Sequence, residues 1–364
     1  MIVSLSLTDF RSYAALRFAP GERRLVFAGP NGAGKTNLLE ALSLLVPGRG
    51  LRGAPGAALA RRGGAGRWAV AARFADGLEI GTGGAAQGPD RREFRLNGVK
   101  PRTQSEVAEQ LAAVWLTPQM DRLFTDSASG RRRFLDRLVV ALEPFHARQI
   151  AAFENAAAQR NRLLGEARAD ARWLAGLEDA MARHAVAATA ARLALIARLN
   201  ATLAAGAAAP FPLVRLALDC LIGARLGAAP ALDVEDWLRG ALAASRATDA
   251  QARRAGYGPH RTDLLMADAE GQPAALASTG QQKAMLLGTI LGHAALIAAA
   301  RGQPPLLLLD EPLVHLDIAR RRALFAALAG ADVPAWMTGT DLEPFAGCAA
   351  ARYMIREGEI LAEA

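Results

Sequence analysis

The segment Gly29-Pro30-Asn31-Gly32-Ala33-Gly34-Lys35-Thr36 constrains this chain more than any other stretch. It fits G-x-x-x-x-G-K-[ST], follows a short apolar run (Leu25 to Ala28) and opens a helical pattern over Asn37 to Leu45. Strand, glycine-rich turn and helix in that order are the context the motif requires. The glycines let backbone N–H groups turn inward around phosphate oxygens, and the helix N-terminus adds partial positive charge. The pattern predicts an α/β fold that cradles ATP between residues 29 and 37, Asn37 being the last. Lys35 is expected on the β/γ-phosphates with a catalytic role, and Thr36 on Mg²⁺.

A second signal lies near the other end. Leu306-Leu307-Leu308-Leu309-Asp310-Glu311 is an apolar strand ending in two acids. Asp310 is placed to hold Mg²⁺ and Glu311 to polarise the attacking water, so both are candidate catalytic residues. Before that strand, Ser278-Thr279-Gly280-Gln281-Gln282-Lys283 stands at the start of a helical stretch. A hydroxyl and a free Gly N–H at a helix N-terminus suit a γ-phosphate. These residues resemble the signature of ABC-type ATPases, S-x-G-Q-x. In that class the signature closes over the nucleotide of a facing subunit. The resemblance therefore implies that Ser278, Gly280 and Gln281 touch ATP across a homodimer. Gln119, in Leu116-Thr117-Pro118-Gln119, falls where the class has its Q-loop and is a candidate for nucleotide and Mg²⁺ contact. Leu316-Asp317 looks like the D-loop. Thr338 to Asp341 stands where the class has its switch residue, and no histidine occurs there; nearby His315 reads as a surface residue.

Charge adds a further constraint. The formal net charge is +8, and only Lys35, Lys100 and Lys283 among the basic residues are lysine. Residues 11–73 carry eleven Arg or Lys against two acids, Glu22 and Glu40. A bound nucleotide accounts for part of that excess and a nucleic acid backbone for more; a solvated basic loop is the alternative. Candidate DNA contacts are Arg49, Arg52, Arg61 and Arg62 in the Gly/Pro/Arg-rich segment 47–66, expected to be a mobile loop, and Arg131, Arg132 and Arg133 further on. Cys220 and Cys348 stand outside any metal-ligand spacing, which fits a reducing cytoplasm. The N-terminus lacks a basic n-region and reads as a first strand. The apolar stretch 286–300 is interrupted by Gly288, Gly292 and His293. It is read as too short to span a bilayer, so no membrane role is expected.

The pattern along the chain is strand-rich, then helical, then α/β again. Residues 68–99 suggest short antiparallel strands, with an Asn97-Gly98 hairpin signal. Residues 131–205 are strongly helical. The run 178–203 is long enough for a helix of about 39 Å. Residues 213–218 look like a strand, 233–252 are helical, and a hairpin closes the chain. The expected organisation is an ATPase head made of residues 1–115 and 256–364, split by a mostly helical lobe over 116–255, with no long coiled coil.

Several blocks carry a more specific resemblance. Phe10-Arg11-Ser12-Tyr13 resembles F-R-[NS]-Y. Leu116 to Gln119 followed by Arg131-Arg132-Arg133-Phe134-Leu135-Asp136 resembles S-P-x…R-R-x-F-[LI]-D. Gly258-Pro259-His260-Arg261 resembles G-P-H-R-D-D, with Thr262 in place of the first Asp, and Ser278 to Lys283 match S-x-G-Q-Q-K. These resemble the blocks of the RecF family, in order over the whole chain. Asp310-Glu311 and Val314-His315 depart from that family's frequent Asp-Asp and Ser-Glu.

The resemblance implies an ATP-dependent dimer that binds DNA at gaps and single-strand/double-strand junctions and aids recombinase loading with RecO and RecR. It also implies a weak, DNA-stimulated ATPase that resets the complex, in the nucleoid-bearing cytoplasm. Three rival readings are weaker. A transporter ATPase places its phosphate loop and signature much closer together. A structural-maintenance head needs longer arms and a hook. A small-molecule kinase has no use for the signature.

Overall fold

In the computed structural model, which describes residues 1–84, 92–166 and 170–362, the strands sort into three sheets. The chain opens with β1 (Ile2–Phe10), β2 (Tyr13–Phe18), β3 (Arg24–Ala28), α1 (Lys35–Ser43), β4 (Trp68–Phe74), β5 (Glu79–Gly84), β6 (Arg92–Leu96), α2 (Gln104–Gln110) and β7 (Ala113–Leu116). There follow α3 (Ala128–Leu142), α4 (His146–Leu164), α5 (Ala171–Ala204), β8 (Arg215–Asp219), α6 (Leu221–Leu226), α7 (Ala231–Ala244), α8 (Arg246–Ala252) and β9 (Asp263–Ala267). The last elements are α9 (Thr279–Arg301), β10 (Leu306–Leu309), α10 (Ile318–Gly330), β11 (Ala335–Gly339), β12 (Ala351–Arg356) and β13 (Glu359–Ala362). The hairpin signal in the region 68–99 is met by Leu96 and Val99, which exchange backbone hydrogen bonds across Asn97 and Gly98. Residues 85–91 of that expected strand region, and 167–169 of the expected helical region, lie outside the described residues.

Two units emerge. The first comprises Met1–Asp121, Gly206–Pro212 and Ser278–Ala364. Its antiparallel sheet runs β2-β1-β4-β5-β6, and its second sheet runs β13-β12-β3-β11-β10-β7. The latter is parallel from β12 to β7. Such strands are covered on both faces, which explains why Leu306 to Leu309 and Ala113 to Leu116 are continuously apolar and wholly buried. Strands from the two ends of the chain interleave, β10 and β11 lying between β7 and β3. Phe18 of the first sheet meets Phe27, Trp336 and Tyr353 of the second edge-on, at ring separations of 5.8, 5.9 and 5.1 Å.

Helix α9 has 23 residues, not the short stretch expected, and by length and composition it passes as a membrane span, as does α5. Its most apolar window is 78% buried inside the protein, as a core helix requires. Gly288 of α9 lies against Phe211 and Pro212, so residues 206–212 belong to this unit.

The second unit comprises Arg122–Ala205 and Leu213–Ala277. Residues 256–277 thus group with the helical lobe and not with the head expected from sequence. The cause is strand pairing: β9 runs antiparallel to β8 from Arg215↔Ala267 to Asp219↔Asp263. Helix α5 spans 34 residues and buries Leu177, Met181, Ala185 and Leu199. The unit also buries charge. Arg160 is fully enclosed and donates to Glu178 at 2.9 Å, to Asp249 at 2.8 Å and to the Leu242 carbonyl at 2.6 Å. Its fork is thereby satisfied, as a buried charge requires.

The segment 47–66 is folded onto the first unit and is not the free loop expected. Arg11 N–H donates to the Leu59 carbonyl, the Arg61 N–H to the Asp9 carbonyl, and the Leu51 N–H to the Ser43 hydroxyl. Glycine and proline content signalled irregular backbone there, but these ties decide its order.

Candidate nucleotide site

The phosphate loop leaves β3 with all five strand residues shielded or buried and enters α1 at Lys35. Two glycines are required by geometry. Gly29 has φ 155°, and a Cβ there would stand 2.3 Å from the Ile355 carbonyl oxygen. Gly34 has φ 108°, and its Cβ would meet the Tyr13 hydroxyl at 2.9 Å. Tyr13 is buried, which pushes its phenol pKa up and keeps it a donor; it donates to the Gly34 carbonyl at 3.1 Å. The sequence block Phe10 to Tyr13 thus braces the loop from behind.

Lys35 is buried, and its ammonium donates to the carbonyls of Gly29 at 2.6 Å and Pro30 at 3.0 Å. Burial lowers its pKa, while Glu311, Asp310 and Asp341 pull the other way. Those three acids therefore face the lysine from the ends of the neighbouring strands. Asn31 and Gly32 are exposed at the loop tip, and Asn37 donates to the Ser12 hydroxyl at 2.9 Å.

The acidic strand end closes the site. Thr36 Oγ1 and Thr338 Oγ1 both donate to Asp310 Oδ1, at 3.0 and 2.8 Å, and the Glu311 N–H donates to Thr338 Oγ1 at 3.0 Å. Four residues from β10, β11 and α1 are thus chained by hydrogen bonds. Thr338 is the part that sequence reading left open at the switch position; its signal was only its place at a strand end. Gln119 is exposed on a 3₁₀ turn, Pro118–Arg122, just beyond β7, and the Asp310 N–H donates to the Leu116 carbonyl at the end of that strand. It therefore sits on the Asp310 side of the sheet. Thr36 and Asp310 supply a hydroxyl and a carboxylate oxygen side by side, the hard donors that Mg²⁺ takes alongside phosphate and water.

Ser278 caps α9. It accepts from the Gln281 N–H at 3.3 Å, while Gln281 accepts from the Ser278 N–H at 3.0 Å. Both side chains are exposed, and Gly280 lies against the Arg320 guanidinium and the His315 carbonyl, where a Cβ would come within 3.1 and 3.2 Å. Further along the same helix, Lys283 is buried and donates to Asp121 at 2.7 Å. That bond ties the signature helix to the turn carrying Gln119. Sequence reading missed that bond, although Lys283 is one of only three lysines in an arginine-rich chain, which was the available sign.

The candidate DNA arginines divide. Arg52 donates to Asn37 at 2.8 Å and to Glu40 at 3.4 Å, and Arg61 to Asp9 at 2.8 Å. Glu40, on α1, also accepts from Arg11 Nη2 at 2.7 Å and Nε at 2.8 Å. Arg131 grips Asp263 with two bonds of 2.7 Å, and Arg132 donates to the Thr262 carbonyl at 2.8 Å. The structure commits Arg52, Arg61, Arg131 and Arg132 to intramolecular ties. Arg49, Arg62 and Arg133 are exposed. In the same unit as Arg131, Gly258 to Thr262 form a knot: Arg192 donates to the Pro259 carbonyl at 2.8 Å, and His260 stacks on Phe153 at 5.6 Å.

Comparison with known proteins decides the family. The DNA replication and repair protein RecF of Mesorhizobium japonicum is 48% identical over 350 residues, covering 94% of this chain and 92% of its own. This chain belongs to the RecF family. RecF of Rhizobium etli is 45% identical over 98% of the chain and 97% of its own length. No protein-family profile matches. The solved structure of the recombination mediator protein RecF-ATPrS in the RecFOR pathway superposes with a TM-score of 0.87 at 20% identity, covering 100% of this chain and 98% of that one. A Pyrococcus furiosus Smc head domain reaches 0.53 at 14% identity, covering 100% and 95%. The fold is that of an ABC-type ATPase head as RecF and Smc heads carry it. The RecF blocks Phe10 to Tyr13, Gly258 to Arg261 and Ser278 to Lys283 therefore have physical roles here: a brace, a knot and a tie.

Proposed function

We propose that this chain is an ATP-dependent DNA clamp of recombinational repair and replication restart, acting at gapped or junction DNA and aiding recombinase loading. The observation that carries the reading is the chain of hydrogen bonds from Thr36 through Asp310 and Thr338 to Glu311, set at the strand ends beside the phosphate loop. The relatives named for DNA replication and repair and the RecF structure described with ATPrS support it.

ATP is bound in the loop of residues 29–37 by those backbone N–H groups that turn inward, Pro30 having none to give and the Gly29 and Ala33 N–H groups being taken by the Thr340 and Pro30 carbonyls. Lys35 turns from the Gly29 and Pro30 carbonyls to the β/γ-phosphates. Thr36 and Asp310, with Gln119 on the turn beyond β7, would hold Mg²⁺, which would supply neutralisation of the phosphate charge. Glu311 takes a proton from the attacking water. Ser278, Gly280 and Gln281 lend their exposed helix N-terminus to the nucleotide of a second copy, so ATP binds the closed dimer more tightly than the monomer and stabilises it by mass action. Hydrolysis is weak and releases the dimer. RecR and RecO are the partners this reading implies, and the cytoplasm its place. Among the arginines first considered, Arg49, Arg62 and Arg133 remain available to DNA.

The test is sedimentation of the Glu311→Gln protein with and without ATP and Mg²⁺, with labelled gapped duplex present. The expected result is monomer alone, dimer with ATP, and duplex retained only by the dimer. Ser278→Arg should abolish the dimer and leave nucleotide binding intact. ATP binding without dimer or DNA complex at low salt refutes the clamp.

A further inference from the structure

The antiparallel sheet of the first unit has one buried face and one open face. Its aromatic residues Phe10, Tyr13, Phe18, Trp68, Phe74 and Phe94 all lie on the shielded side. On the other side the cross-strand register forms a single row: Arg17 pairs with Ser6, Ser6 with Ala71, Ala71 with Gly81, and Gly81 with Arg95. An exposed arginine stands at each end and three small residues form the floor; Arg95 spends one Nη1 hydrogen on the Gly98 carbonyl at 3.2 Å, a solvent-exposed bond. With strands about 4.8 Å apart, the end residues are about 19 Å apart. Among the described residues nothing stands over the floor: a Cβ on Gly81 would meet only atoms of the sheet itself, at 3.9 to 4.0 Å. Arg73, one row along, is also exposed and faces Glu79. Glu93, on the same face, is held by Lys100 at 3.3 Å. Among the described residues, cations therefore outnumber acids there.

We propose that this open face seats the sugar–phosphate backbone of double-stranded DNA, with Arg17 and Arg95 on phosphates at the two edges of one groove. The proposal deepens the clamp reading and rests on it. The span exceeds a major groove of about 12 Å, so the two arginines bracket that groove. Small floor residues let the duplex approach closely and offer no side chain to read bases, so binding is to the backbone and independent of sequence. Single strands are disfavoured because, among the described residues, the sheet's aromatic rings lie on the opposite face and are not there to stack bases. The row was hidden from sequence because its members come from five strands, and register alone aligns them.

The test uses the full chain with ATP and a labelled blunt duplex, measuring anisotropy from 50 to 200 mM salt. R17A/R95A should lower the slope of log affinity against log salt by about two, one for each phosphate no longer neutralised. R17K/R95K should keep the slope. Ala71→Glu, which puts a carboxylate in the exposed floor, should weaken duplex binding at least tenfold. ATP binding and ATP-dependent sedimentation should match wild type in all three. Wild-type affinity and slope in both R17A/R95A and Ala71→Glu overturn this surface while leaving the clamp in place. A wild-type protein that dimerises but binds no duplex, or prefers single strands on this face, overturns it as well. Failure of wild type to dimerise with ATP refutes the clamp reading, and with it this surface.

Discussion

Glu311 holds a left-handed backbone conformation, with φ 51°. A non-glycine residue adopts that conformation at a cost of about 1–2 kcal/mol. The turn is kept by the bond from its N–H to Thr338, and the Glu311 carboxylate lies near enough to Lys35 to raise the pKa of its ammonium. Strain of this kind belongs to a site that needs one particular side chain in one place. Replacing Glu311 with Gly should raise stability by about 1 kcal/mol in thermal unfolding while abolishing hydrolysis. Glu311→Gln should retain ATP binding and lower turnover by about 10²–10⁴, read by phosphate release. Asp263 gives a pH prediction at the same scale. The hydrogen bond from Arg131 lowers its pKa against the opposing effect of burial. Its contribution is therefore complete above the unfolded carboxylate value of about 3.9 and is lost as pH falls through the lower folded value. Acid unfolding monitored by circular dichroism should show this loss below about pH 4, and Arg131→Ala should reduce it.

At the scale of elements, the site depends on bonds that join one piece of backbone to another. Lys283 is buried on α9 and its partner Asp121 sits on the turn that carries Gln119. Removing one member of a buried pair leaves the other charge uncompensated, whereas replacing both by apolar groups need not. Asp121→Ala should cost about 3 kcal/mol. D121L with Lys283→Met should recover most of that loss in a urea titration. If both variants unfold alike, the pair is not what joins the two elements. The brace behind the phosphate loop behaves differently. Tyr13→Phe removes one hydrogen bond to Gly34. It should cost only about 1 kcal/mol, because the ring still fills its pocket.

For the whole molecule, the legible parts were those whose chemistry is contiguous. The phosphate loop, the Leu306–Glu311 strand and the Ser278–Lys283 helix start each carry their own geometry, and each folds as expected. What sequence could not show was pairing between distant segments. The arginines at 52, 61, 131 and 132 stand opposite Glu40, Asp9, Asp263 and Thr262 in the fold, and nothing next to them in sequence announces those partners. Segment 47–66 read as mobile because its own composition says nothing of Asp9 or Arg11. Residues 256–277 read as head because the ladder from β9 to β8 is non-local.

The strand order has a consequence in time. β3 and β7 are made early, yet β10 and β11 must enter between them, and about 190 residues separate Leu116 from Leu306. At roughly 5–20 residues per second, a ribosome needs about 10–40 s to deliver them. Throughout that interval the parallel sheet lacks its middle, and before it ends the unit of Arg122–Ala205 and Leu213–Ala277 has gained all its strands and helices. Stalled nascent chains ending near residue 305 should therefore show a protease-resistant helical unit and a cleavable phosphate loop. Chains extended past residue 362 should protect both, so ATP can first be held only when synthesis is nearly complete.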